Sequence, residues 1–87
     1  MTIEDINNAL GENKVTQAHI TTAQVANIMM YVPVIIDLDR GTFEHHYTIF
    51  VDDLLESNMP VSDLDDLKSQ GWAFNEDREK LIVYLKV

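Results

Sequence analysis

The stretch FEHHYTIFVDD, residues 43 to 53, gathers the residue types that carry out acid–base and metal chemistry. Glu44, His45 and His46 adjoin, and Asp52 and Asp53 follow closely. Imidazoles and carboxylates bind zinc or shuttle protons, provided that they converge on one point. Here they do not converge if the stretch is a β-strand, because neighbouring side chains then point to opposite faces. His45 goes with Phe43 and Tyr47 on an apolar row, and His46 goes with Glu44 and Thr48 on a polar row. Alternation therefore reads His45 as a buried or half-buried histidine satisfied by a hydrogen bond, and His46 with Glu44 as a surface pair. No third ligand is indicated, so neither a metal nor any other cofactor is expected.

Other chemical patterns fail on spacing. DLDRG, Asp37 to Gly41, has alternate acids before a glycine, as a calcium loop does. An EF-hand needs glycine at its sixth position and glutamate at its twelfth, and here those places hold Thr42 and Thr48. Ser57, Ser62 and Ser69 sit at cap-like or exposed helical positions, with no nucleophile-elbow context. The glycines at 11, 41 and 71 are isolated, so none builds a phosphate loop. Carboxylates abound, but no pair stands in an apolar setting that would tune it for catalysis. An enzyme is not expected.

Charge carries more information. Fifteen acids oppose six bases for a net charge of −9. Residues 37 to 79 hold twelve of the acids and three of the bases, so this segment accounts for all of the excess. From Asp52 to Asp66 there are six acids (Asp52, Asp53, Glu56, Asp63, Asp65, Asp66) and no base. Asp63 and Asp66 stand three apart, a helical spacing that sets side chains roughly 5–6 Å from each other. Such a field repels nucleic acid and anionic membranes and attracts basic surfaces. A helix-turn-helix reading of residues 3 to 31 fails for the same reason: its second helix would present Thr22, Gln24 and Asn27 without one lysine or arginine. Acids at helix N-termini also stabilise the helix dipole, which explains Asp63 and Asp65 without a partner. It leaves the regional excess unexplained.

The elements that must position these acids are legible from local signals. Thr2 can cap a first helix carrying Ile3, Ile6 and Leu10 on one face, with Gly11 as a left-handed C-cap. Residues 12 to 20 read as a loop or a further turn. Thr21 and Gln24 have capping-box spacing, and Ile20 and Val25 form a staple, so a second helix is predicted over about 22–31, with Val25, Ile28 and Met29 as its apolar stripe. Residues 32 to 51 read as a hairpin turning at Arg40-Gly41, with Leu38 facing Phe43 and Ile36 facing His45. A short helix capped by Asp52 follows, then a helix over SDLDDLKSQ with Ser62 as its cap and Gly71 as its C-cap. WAF and LIVYLKV form two strands around the turn NEDREK. The expected fold is a single α+β domain over residues 1–87. It has two N-terminal helices and an antiparallel sheet of about four strands, in two hairpins, with helices packed on one face.

Cysteine is absent, which suits a reducing compartment. The opening MTIEDINNAL carries acids where a secretion signal carries bases. The longest apolar run, Ile28 to Ile36, is nine residues with a proline inside it, whereas a membrane span needs about 20. A cytoplasmic location is expected, with no membrane and no direct nucleic-acid contact.

The function expected is a non-catalytic module that binds a basic protein through Asp52, Asp53, Glu56, Asp63, Asp65 and Asp66, extended by Glu76, Asp77 and Glu79. Met59 or Leu55 would serve as exposed apolar anchors. In size, acidity and lack of cysteine the chain resembles phage-encoded anti-restriction and anti-CRISPR inhibitors and the small acidic inhibitors of nucleases. The likeness is one of composition and covers no motif. It implies a DNA mimic that occupies a nucleic-acid-binding surface. The alternative is an assembly protein, forming a homodimer or larger homo-oligomer through a sheet edge or helix face, with Ile82 and Tyr84 of LIVYLKV covered by a second copy.

Overall fold

A computed structural model of the chain describes residues 1–15, 20–41 and 44–86, with the side chains of Asp39, Leu85 and Lys86 left aside. Its elements run α1 (Ile3–Leu10), α2 (Thr22–Met29), β1 (Ile35–Asp39), β2 (Glu44–Phe50), α3 (Val51–Glu56), α4 (Leu64–Gln70), β3 (Ala73–Phe74) and β4 (Lys80–Lys86). One 3-10 turn, Val61–Asp63, leads into α4. The four strands form one antiparallel sheet in the order β1-β2-β4-β3, with helices packed on one side of it.

Both N-terminal helices start where short-range chemistry directs. The Thr2 hydroxyl accepts from the Asp5 N–H at 3.2 Å, and the Asp5 carboxylate accepts from the Thr2 N–H at 2.9 Å. Thr21 and Gln24 make the same reciprocal pair at 3.2 and 2.8 Å. Each box satisfies two backbone groups that the first helical turn leaves without partners. Ile20 and Val25 are both buried at the start of α2, as the staple requires. The last residue of the expected α2 stripe, Met29, faces solvent, and the helix ends there, two residues short of the reading.

The later helices begin differently. α3 starts at Val51 after Phe50, so Asp52 lies inside the first turn and caps nothing. Ser62 sits in the 3-10 turn without a side-chain cap, because Pro60 already holds the chain extended just before that turn. Gly71 adopts φ 98°, the left-handed conformation expected of it. The Trp72 N–H reaches the Leu67 carbonyl and the Gly71 N–H that of Lys68, both at 3.1 Å, a Schellman ending. Gly11, by contrast, is right-handed at φ −61°. A Cβ there would run into the Asn7 carbonyl, so glycine is needed for close approach rather than for handedness.

After α1 the described residues of the ambiguous segment, Glu12 to Val15 and Ile20, are not helical; residues 16–19 lie outside the described part. Asn13 ties this loop down, its Nδ2 donating to the Trp72 carbonyl at 2.8 Å and the Lys68 carbonyl at 3.2 Å.

The first hairpin keeps the expected parity but slides by two residues. Leu38 pairs with His45, Ile36 with Tyr47 and Asp39 with Glu44, in place of the expected pairs of Leu38 with Phe43 and Ile36 with His45. A slip of two returns each side chain to the same face, so hydrophobic alternation does not distinguish the two registers. The expected partner Phe43 lies outside the described residues.

The core is the row Tyr47, Ile49, Leu81 and Val83 on the sheet, met by Ile6, Leu10, Leu54, Leu64, Leu67 and Trp72. Phe74 packs on its margin under the Arg78 guanidinium, 4.2 Å from the ring centre. Arg78 itself holds a positive φ of 56° in the turn after β3, and donates to the Asn7 Oδ1 at 3.0 Å. LIVYLKV forms a central strand: β4 lies between β2 and β3. The edge is β1. Val32 and Val34 are buried just before it, but Ile36 and Leu38, which share their parity, are 49% and 51% exposed. Among the described residues, this outer part of the apolar row is left open to solvent.

Candidate functional site

The histidines are where alternation puts them. His46 approaches Glu44 at 3.6 Å and lies against the Tyr84 ring, with centroids 4.3 Å apart, on the face away from the helices. His45 is on the core side, edge-on to Tyr47 at 6.2 Å. The two imidazoles do not converge, and among the described residues no three His, Asp or Glu side chains are grouped to hold a metal ion. The described helices include none long and apolar enough to cross a membrane.

The acids are distributed over several surfaces rather than one. Asp63 and Asp66 line a single cleft of about 300 Å³ between α2 and α4. Its apolar walls are Ile28, Tyr31, Met59 and Leu67, and Gln24, Asn27, Ser69 and Gln70 supply amide and hydroxyl groups. Among the described residues, no lysine or arginine lines it. Asp65 looks the other way, into a groove shared with Asp5, Asn8 and Val61 beside α1. Asp52 lies at a third concavity, with Leu55, Arg78 and Glu79. Glu76 and Asp77 border the open sheet face with Val15, Ile82 and Tyr84. Asp53 is half-buried and Glu56 exposed on α3. Of the expected binding residues, then, Asp63 and Asp66 share the cleft between α2 and α4, Glu76 and Asp77 share a second concavity, and Asp52 and Asp65 each line a different one.

The anchors differ from expectation. Met59 is buried and forms part of the cleft floor, and Leu55 packs against the core. The Met59 N–H donates to the hydroxyl of Ser57, two residues earlier, at 3.3 Å. The exposed apolar residues near the cleft are Met29, Met30 and Tyr31 at the end of α2. Sequence reading missed them because it placed Met29 in the apolar stripe of the helix and gave Met30 and Tyr31 no role. The signal was the proline at 33, which ends the helix and turns the following chain back to the sheet.

Beneath the cleft, Gln70 is buried at 6% exposure and its Oε1 accepts from the Trp72 indole N–H at 3.0 Å. The Trp N–H can only donate, so the bond fixes which end of the amide faces it. No protein-family model, curated protein or solved structure matches the chain.

Proposed function

We propose that this protein is a small, non-catalytic, acidic binding module that docks on a basic surface of another protein and so inhibits or regulates it. The observation that carries the reading is the pairing of Asp63 with Asp66 in a cleft that also has apolar walls and, among the described residues, no lining cation. A lysine or arginine from a partner has a long apolar stem and a charged head. It can lay the stem along Tyr31 and Met59 and bring the head to the two carboxylates. The surrounding charge of −9 steers a basic partner to this site and repels acidic ones. If the partner's basic surface normally takes nucleic acid, the module acts as a DNA mimic, in the manner of phage counter-defence proteins, and works in the cytoplasm.

The test is capture of partners from a lysate on the immobilised protein, at low and at raised salt, beside the Asp63→Lys/Asp66→Lys variant. The expected result is a basic protein that is released by salt, is lost on the double variant and is displaced by duplex DNA. A partner that the double variant retains refutes the assignment of the cleft.

Assembly of identical copies is the second reading. Exposed Ile36 and Leu38 on an edge strand favour it. Light scattering separates the readings, because a salt-insensitive dimer at micromolar concentration supports assembly and a monomer supports the binding module.

A further inference from the structure

β1 is an edge strand with three apolar residues in the open. Ile35, Ile36 and Leu38 are 41%, 49% and 51% exposed, on both faces of the strand. One side of β1 pairs with β2, and the described backbone hydrogen bonds include none from Ile35 to Asp39 on its other side. An uncovered row of N–H and C=O groups is a template for one more strand. The neighbouring side chains then determine what that strand must carry. Ile36 and Leu38 continue the core-side row of Tyr47 and Ile49, so the incoming residues on that side should be apolar. On the opposite face stands exposed Asp37, paired with His46 and next to Glu44 on β2.

Charge disfavours the most obvious occupant, a second copy of the chain. Two copies pairing antiparallel through β1 about a two-fold axis must place residues of equal parity opposite each other. The register that uses the whole of Ile35–Asp39 sets Asp37 directly against Asp37 of the second copy. Sliding the register shortens the ladder. Like charges directly opposite are destabilising in a sheet, and each copy already carries −9. A strand with a lysine or arginine at that place meets an attraction instead.

We infer that the free edge of β1 binds an extended segment of a partner protein in which apolar and basic residues alternate, adding a fifth strand to the sheet. The apolar residues cover Ile36 and Leu38, and the basic residue opposite Asp37 sets register and selects against self-pairing. This surface is separate from the cleft of Asp63 and Asp66 and does not depend on it.

The probe is a synthetic peptide of alternating valine and lysine, tested at low salt by amide hydrogen exchange of the full chain and by fluorescence anisotropy of a labelled peptide. The expected result is slowed exchange confined to β1, with no binding by the same peptide carrying glutamate for lysine. Asp37→Lys should weaken binding at least about threefold, and Ile36→Lys, at an exposed position, should abolish the β1 protection without unfolding the chain. The Asp63→Lys/Asp66→Lys variant should leave the β1 protection in place, which distinguishes this site from the cleft. Protection absent from β1, equal binding of the glutamate peptide, or a salt-insensitive dimer whose formation protects β1 would each overturn the inference.

Discussion

Gln70→Leu isolates the worth of one buried hydrogen bond. Leucine nearly matches glutamine in volume, suits a helix, and removes the acceptor that Trp72 uses at 3.0 Å. Trp72 has no exposed surface, so its indole N–H would be stranded without water. An unsatisfied buried donor costs about 1–3 kcal/mol. In a domain of 87 residues each kcal/mol moves Tm by about 4–8 °C, so a cost of about 2 kcal/mol lowers it by about 8–16 °C. The assay is urea and thermal unfolding followed by circular dichroism and by the fluorescence of this single tryptophan. Gln70→Ala is expected to cost less than Gln70→Leu although it deletes more atoms. Gln70 lines the cleft between α2 and α4, and the smaller side chain lets water from that cleft reach the indole. A Gln70→Leu variant within about 0.5 kcal/mol of the parent would refute the desolvation reasoning.

Trp72 emission should be blue-shifted in the native protein and resist iodide quenching, and both properties should vanish in urea; a quencher-accessible native tryptophan contradicts its burial. Gly71→Ala must hold a left-handed φ of 98° with a Cβ present, and should lose about 1–2 kcal/mol in chemical denaturation. Thr21→Ala removes half of the second capping box and should cost about 0.5–2 kcal/mol by the same measurement. Asp63→Lys/Asp66→Lys should leave the circular dichroism spectrum unchanged while abolishing capture of a basic partner, since neither side chain belongs to the core.

The starts of α1 and α2 were legible because a capping box is closed within four consecutive residues. Thr2 with Asp5 and Thr21 with Gln24 need nothing from the rest of the chain. Gly71 is the left-handed C-cap expected of it, closed by bonds to Leu67 and Lys68 nearby in the chain, although Gly11, read in the same way, is right-handed. The order of helices and strands was legible too, since apolar spacing changes from the helical to the alternating period at Pro33 and again after Gly71. The acids were countable from sequence, but their grouping was not. Asp65 and Asp66 are neighbours in the chain, yet they line grooves beside α1 and beside α2 respectively, because consecutive residues of a helix point in different directions.

By itself, then, the sequence determined the α+β element order, the parity of the first hairpin, the separation of His45 from His46, and the strongly negative field. Each of these depends on residues close in the chain or on composition alone. The tertiary structure decided the two-residue slide of the hairpin, the burial of Met59, the central place of β4 and the right-handed Gly11. It also decided which carboxylates meet in one cleft and that Ile36 and Leu38 stand open. Most of these depend on packing between segments far apart in the chain, which no local signal reports.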